Sequence, residues 1–389
     1  MKKDYLGIVW EKIFGFQKKI NMNLSFNHTK LKAIRNKKEI LKQIGHIIDQ
    51  GIFLNGKYVK ETEELLKKYF EVKYFLTCGS GHDSLLLSLQ SLGLKKEDEI
   101  IFPVNAYPTA FPVFMSGSKG VPADVDDNGQ LDPDQVIKLI TSKTKAIITV
   151  HLYGLVGDLK KIINICKKNK IFLIEDCAQA FGSRYHGKLV GTFGNIGCFS
   201  FYPTKNLSTL GDGGGIITKN KKHFDFLKKA VQYGEKYRYQ SEFIAGHSRL
   251  PEIQSSIINL YLKTIDREFS KRKYLANYYV KQIIKYDLNK NITVLTSDKD
   301  SDPVNHLFVI KARSRDGLRN FLKKENIKTF IHYPFIINKV PAFNFLSKNS
   351  FPRAEKLSKQ IISLPFHQYL DKEQINYIIQ TLAKFYLSK

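Results

Sequence analysis

The chain has 389 residues, 43% of them hydrophobic, long enough for a large core and more than one domain. No apolar run approaches the roughly 20 residues of a membrane helix, and Cys78, Cys166, Cys177 and Cys198 form no C-x-x-C pair, so neither an integral membrane segment, a metal site nor a disulfide framework is expected. The net charge of +26 raises nucleic acid as a partner, but the basic residues are scattered and no nucleic-acid-binding motif is present; a solvated lysine-rich surface, a polyanionic small substrate or a nearby acidic membrane surface suits the charge better.

The opening MKKDYLGIVWEKIFGFQKK is basic, and charges interrupt its apolar residues. It is not read as a signal peptide; an amphipathic surface helix or a start at Met22 is expected, with residues 1–22 as an N-terminal extension. Reduced thiols and a cytoplasmic location follow as expectations. From about 24 to 70 the sequence holds two helical patterns. The first, LKAIRNKKEILKQIGHIID, sets Leu31, Ile34, Ile40, Leu41, Ile44 and Ile48 near helical spacing; the second begins at VKETEELLKKYFE.

KYFLTC then reads as a strand, stopped at Gly79-Ser80-Gly81, and a helix follows with Leu85, Leu86, Leu89 and Leu92. A strand, a glycine turn and a helix start present free backbone N–H groups and the positive end of a helix dipole to an anion. Ser80 as an ordinary helix cap explains the same residues. EDEIIFPVNAYPTAFPVFMSG gives a strand and a Pro-broken segment with Tyr107, and GVPADVD another strand. KAIITVHLYG, DLKKIINICKKN and KIFLIED read as strand, helix and strand: a parallel βαβ unit with Asp176 at a carboxyl end, where ligands of such sheets gather.

Residues 193 to 217 read as strand, turn, strand, and HFDFLKKAVQYG as a helix. LPEIQSSIINLYLKTIDREFSKRKYLANYYVKQI makes one long helical pattern. NHLFVIKA opens a strand and RDGLRNFLKKE a helix. The predicted fold class is α/β: a large domain over 23–266, with a mostly parallel seven-stranded-type sheet between helices, and a smaller α+β domain over 267–389.

Pyridoxal phosphate (PLP) chemistry needs a lysine amine, a carboxylate facing the pyridine nitrogen, a phosphate cradle and a flat partner for the ring. Lys205 is the lysine candidate, because FSFYPTK leads out of an apolar strand and GDGGG follows, where backbone can approach a ligand closely. A solvated surface lysine is the plain alternative. Asp176 is the carboxylate candidate; an acid ending a buried strand needs a partner, and a helix cap or an ion pair would also provide one. Ser200 could offer its hydroxyl to the phosphate. Tyr107 could stack on the ring or simply pack.

The motifs GSGHDSL, HLYGLVGDL, IEDCAQAFGSRYHGK, GCFSFYPTKNLSTLGDGGG, GHSRLPEIQSS and FIHYP, in that order, resemble the DegT/StrS family of PLP-dependent sugar-nucleotide aminotransferases, of the aspartate aminotransferase fold type. The similarity runs from about Asn23 to the C-terminus. It implies Lys205 as the lysine that carries the cofactor and moves the proton. It implies Asp176 at the pyridine nitrogen, Gln179 at the ring hydroxyl, Ser200 with Gly81 and His82 at the phosphate, and Tyr107 on the ring. Arg249, His332 and Tyr333 fall where members bind the nucleotide-sugar. The resemblance further implies a homodimer with shared active sites, in which the GHSR loop completes the partner's site.

Three positions depart from the pattern. His247 stands for the Asn that reaches the partner's phosphate, His82 for Thr or Leu, and FIINKV follows HYP where a His is common, leaving Asn338 there. The implied reaction moves an amino group, from glutamate by resemblance, to a keto group of a nucleotide-linked sugar, making an amino sugar for a surface polysaccharide, lipopolysaccharide or secondary metabolite. YGEKYRY and GHSRL resemble 3-keto enzymes slightly more than 4-keto ones. Lys205 argues against the sister dehydratases, which carry His there. The rival readings are a family member with a dehydratase or regulatory role, and a basic nucleic-acid-binding or scaffold protein on the same fold.

Overall fold

The computed structural model describes residues 24–387, so the expected extension over 1–22 lies outside the described residues. The described chain opens with helices α1 (Thr29–Arg35), α2 (Lys37–Gln50) and α3 (Lys57–Phe70). The stretch predicted as one helix from Leu31 to Ile48 is divided at Asn36, whose backbone leaves helical geometry (φ −104°, ψ 7°). The Asn36 amide donates to the Lys32 carbonyl at 2.8 Å, a side-chain bond that competes with helix continuation. Gly51 ends α2 in the left-handed conformation (φ 66°), where a side chain would be strained.

Strands and helices then alternate: β1 (Tyr74–Cys78), α4 (Gly81–Ser91), β2 (Glu99–Pro103), α5 (Tyr107–Met115), β3 (Lys119–Ala123), α6 (Pro133–Leu139), β4 (Thr144–Val150), α7 (Leu159–Asn169) and β5 (Phe172–Asp176). A short hairpin, β6 (Arg184–Tyr185) and β7 (Lys188–Leu189), precedes β8 (Ile196–Ser200) and β9 (Gly214–Thr218). The seven-stranded sheet runs β1-β9-β8-β5-β4-β2-β3, with β9 antiparallel to both neighbours and every other pairing parallel. The predicted mostly parallel sheet is therefore present. Successive strand residues face opposite sides: Ile100, Phe102 and Ile148 join one buried cluster, Ile101, Ile147 and Leu173 the other.

The segment predicted as Pro-broken is helix α5. Pro108 occupies the first turn, where its missing N–H is no loss, and Pro112 lies near the end of a helix only 9 residues long.

Beyond the sheet come α8 (Lys221–Ala230), the hairpin β10 (Glu235–Tyr237) and β11 (Gln240–Ser241), α9 (Glu252–Leu262) and α10 (Ile265–Lys285). The long helical pattern predicted here is two helices. Thr264 departs to φ −120°, ψ 4°, and its N–H bonds Tyr261 O in a tight turn. The bend lets Ile265 pack in the second sheet cluster while Leu275, Tyr279 and Ile283 enter a third core. That core surrounds an antiparallel sheet, β12-β14-β15, made of β12 (Ile292–Val294), β14 (Phe308–Ala312) and β15 (Ile361–Leu364). Strand β13 (Ser301–Asp302) pairs with β6, and α11 (Arg315–Lys324), α12 (Pro352–Gln360) and α13 (Lys372–Leu387) complete the chain.

Candidate active site

Parallel pairing brings strand ends to one edge of the sheet. Val150 is opposite Asp176, and Asp176 is opposite Cys198, so the ends of β4, β5 and β8 open on the same space. There one pocket gathers Gly81, His82, Tyr107, Asp176, Gln179, Ser200, Lys205 and Tyr333 from the predicted site. Thr109, Phe111, Leu152 and Ala178 also line it.

Asp176 is 4% exposed. Its Oδ1 accepts from the Ala178 N–H at 3.0 Å and its Oδ2 from the Thr109 hydroxyl at 2.7 Å. Burial raises its pKa; the two donors and the charges of Lys205 and His151 oppose that rise only in part. Lys205 has the opposite problem. Burial lowers its amine to about 8, against a partial lift from Asp176. Among the described residues its Nζ has no hydrogen-bond partner, and Lys205 lines the pocket.

Gly81 and His82 begin α4 at one wall. Ser80 caps the helix, its Oγ accepting from the Asp83 N–H at 3.0 Å, and the first helical bond runs from Ser84 N to Ser80 O. Ser80 is thus the predicted cap, and neither the cap nor the helix uses the N–H groups of Gly81 and His82. A Cβ at Gly81 would sit 2.5 Å from Ser200 Cβ, so only glycine lets the turn and the end of β8 meet. The GDGGG run serves a different purpose from the predicted one. None of its glycines lines the pocket; a Cβ on Gly214 would meet Ser80 O at 2.1 Å, so the run packs β9 against the turn before α4.

At the other wall Gln179 Oε1 accepts from the Tyr153 N–H at 2.7 Å, and Gln179 Nε2 reaches Tyr333 Oη at 3.4 Å. The Tyr107 ring lies 5.9 Å from that of Tyr333 and 5.1 Å from that of Phe111. Burial, helped by Asp176, pushes the Tyr333 phenol up to about 12.

His332, His247 and Arg249 do not line the pocket. His332 bonds Ser363 Oγ at 2.9 Å, its carbonyl accepts from the Tyr153 hydroxyl, and burial with the charge of Lys205 lowers its ring to about 4. His247 is exposed, 5.2 Å from the Tyr233 ring, and Arg249 reaches Gln232 Oε1 at 3.5 Å. Between them Ser248 joins the glycine turn: its Oγ accepts from the Gly79 N–H and donates to Asp83. Asn338 is buried against Asn349 O at 2.8 Å, also away from the pocket.

Sequence reasoning missed Thr109, which stands within a segment read as broken. It also missed the brace behind Asp176. There His151 N donates to Asp176 O, while the Glu175 carboxylate engages His151 Nε2 at 3.1 Å and the N–H groups of Gly191, Phe193 and Gly194. Burial alone would raise Glu175; His151 and these backbone donors hold it below its usual range. His151, Glu175 and Cys177 lie close enough to suggest metal ligands, but the carboxylate is already saturated by these donors.

A buried acid with one neutral hydroxyl donor, an unpartnered lysine of lowered pKa, and a helix start with free N–H groups share one pocket at the carboxyl edge of a mostly parallel sheet. These are the parts of a PLP-dependent aminotransferase, and their donors and charges fit the cofactor. A family model described as the DegT/DnrJ/EryC1/StrS aminotransferase family matches residues 35–383, and the chain belongs to that family, whose aminotransferases use PLP. The chain is 35% identical to the "pleiotropic regulatory protein" of Geobacillus stearothermophilus, over 90% of this chain and 95% of that one. It is 34% identical to the dTDP-3-amino-3,6-dideoxy-alpha-D-galactopyranose transaminase of Aneurinibacillus thermoaerophilus, over 90% and 96%. Among solved structures, DesV of S. venezuelae, crystallised in complex with a ketimine intermediate, superposes with a TM-score of 0.89 at 31% identity, covering 93% of this chain and 98% of that one.

Proposed function

We propose that the protein transfers an amino group, from glutamate as donor, to the 3-keto group of a nucleotide-linked sugar, for amino-sugar and surface-polysaccharide biosynthesis. The observation that carries the reading is the shared pocket of Lys205 and Asp176, one amine with a lowered pKa and one buried acid with a raised one. The name of the A. thermoaerophilus relative, a 3-amino-sugar transaminase, favours the 3-position. The strongly basic surface suits a diphosphate-bearing substrate.

PLP, when bound, supplies an aldehyde for amine exchange and an electron-accepting ring. In this reading Asp176 holds the ring nitrogen protonated, Gln179 bonds the ring hydroxyl, and Tyr107 covers a ring face. Gly81, His82 and Ser200 hold the phosphate with N–H and hydroxyl donors at the positive end of α4. Lys205 Nζ takes and returns the proton at the substrate carbon; an amine near pH 8 is suited to both directions. His332, Tyr333 and Arg249 receive the nucleotide-sugar.

The protein acts as a homodimer in this reading. Leu41 and Ile48 on α2 are 56% and 60% exposed, and Ile34 on α1 with Ile52 and Phe53 after α2 are exposed as well. Several large apolar side chains exposed on one part of a globular chain favour a partner. His247 and the β10–β11 hairpin, with Tyr239 82% exposed, are free to reach the partner's pocket. Residues 23–266 form the cofactor domain and 267–389 the smaller domain.

A coupled assay with 3-keto and 4-keto nucleotide-sugars and glutamate tests the function. Amination of a 3-keto substrate is expected; a cofactor-loaded enzyme that aminates none of the panel overturns the sugar assignment. The name of the G. stearothermophilus relative favours a second reading, regulation. In that case glutamate would leave the visible spectrum of the loaded protein unchanged.

A further inference from the structure

The loop that carries Lys205 is held from behind by buried groups that take no part in the chemistry above. Lys32, on α1, is 2% exposed. Its Nζ donates to the carbonyl of Asn206, the residue after Lys205, at 3.3 Å, and to Glu268 Oε2 on α10 at 2.9 Å. It also lies 4.4 Å from the centre of the Tyr261 ring. Three residues earlier on α1, Thr29 Oγ1 reaches Pro203 O at 3.5 Å, so α1 touches the loop on both sides of Lys205.

The far end of the network is anchored well. Glu268 also accepts from Gln368 Nε2 at 3.0 Å and from the Tyr369 hydroxyl at 3.1 Å, and Gln368 Oε1 accepts from Arg272 at 2.9 Å. The Asn206 side chain is fixed independently, its Oδ1 2.9 Å from His306 Nδ1.

A buried ion pair is a poor device for stability alone, because desolvation offsets most of the attraction. The Tyr261 ring gives the Lys32 side chain an apolar neighbour, while Gln368 and Tyr369 bond Glu268 at the far side of the pair. An apolar side chain could not bond the Asn206 carbonyl, and so would not fix the main chain of the loop just after Lys205. We propose that Lys32 is a positioning residue for Lys205: closed on Glu268, it sets the main chain from which the reactive amine projects. The proposal rests on Lys205 as the cofactor lysine.

The test uses full-length protein stripped of cofactor and reconstituted with PLP. Lys32→Met is expected to slow the growth of the visible band, and to lower kcat, by about tenfold to a hundredfold, the size expected when a reacting group is misplaced by a fraction of an ångström to an ångström. KM for the amino donor should stay unchanged, and Lys32→Arg should restore most of both rates. The double variant Lys32→Met/Glu268→Gln removes both charges of the pair, is expected to keep the fold, and should remain slow. Wild-type band growth and kcat in folded Lys32→Met or in the double variant overturn the proposal. So does loss of the fold in both, which would make Lys32 a stability residue only. A visible band that persists in Lys205→Ala instead refutes the reading of Lys205, a separate failure.

Discussion

Thr109→Val removes one hydroxyl and keeps the shape of the side chain. That hydroxyl donates to Asp176 Oδ2 at 2.7 Å, inside a pocket wall where Asp176 is 4% exposed. A hydrogen bond to a buried carboxylate contributes about 1.5–3 kcal/mol to the ionised form. Burial already raises the Asp176 pKa, and the Thr109 bond opposes the rise, so its loss lets the pKa climb further. In the proposed mechanism Asp176 assists the ring nitrogen only while ionised. If the whole bond energy appears in the barrier, kcat falls roughly tenfold to a hundredfold. The acid limb of the pH–rate profile should also move to higher pH, because protonation now begins earlier. The assay is stopped-flow conversion of the cofactor band by glutamate at saturating PLP, from pH 5.5 to 9, with KM measured separately. Wild-type kcat together with an unmoved acid limb would refute the claim that Thr109 keeps Asp176 charged. Asp176→Asn should cost more rate than Thr109→Val, since it removes the charge itself.

The lowered Lys205 pKa also makes a stability prediction. From an ordinary 10.5 to about 8 in the folded chain, the unfolded state binds more protons between those values, so cofactor-free stability from this group rises with pH there. Lys205→Met without cofactor should be more stable than wild type near pH 7 by up to about 3 kcal/mol, the gap closing by pH 10.5; urea titrations across pH should show it, and a constant gap counts against a lowered pKa. Gly81→Ala places a Cβ 2.5 Å from Ser200 Cβ, an overpacking expected to cost about 1–3 kcal/mol, and should weaken PLP retention on dialysis more than it lowers the Tm of the cofactor-free protein. Leu41→Glu with Ile48→Glu charges two of the exposed apolar residues and should convert the proposed dimer to folded monomer in light scattering, with loss of turnover. A dimer that survives both charges would move the interface elsewhere.

The residues legible in the sequence were those whose role is written in local pattern. A short apolar strand ending in an acid marks Asp176, because parallel strands put their carboxyl ends at the ligand edge. A strand stopped by Gly-Ser-Gly before a leucine-rich helix marks Gly81, and Ser80 caps that helix as read. What local pattern does not carry is the identity of the neighbour. Thr109 meets Asp176 across 67 positions and from a segment whose prolines suggested no helix at all. Lys32 meets Asn206 across 174 positions. Ile34, Leu41 and Ile48 keep helical spacing, yet Ile40 and Ile47 take the core face of α2. Periodicity finds an apolar stripe but not which of two stripes is covered by the same chain.

The charges of the pocket explain why its parts are arranged in this order. At one end the N–H groups of α4 call for an anion, and at the other the buried Asp176 calls for a cation. A phosphate-bearing ring with a protonated nitrogen satisfies both at once. Lys205 stands close enough to Asp176 for each charge to favour the other, yet burial still holds the amine near 8. A larger share of the amine is therefore unprotonated near neutral pH than in an ordinary lysine. The same desolvation that destabilises the charged amine would therefore supply the free amine that the proposed chemistry needs. Moving Lys205 outward would relieve the cost of its charge and reduce its unprotonated form, so in the proposed mechanism the position of the loop and the reactivity of the amine are one property.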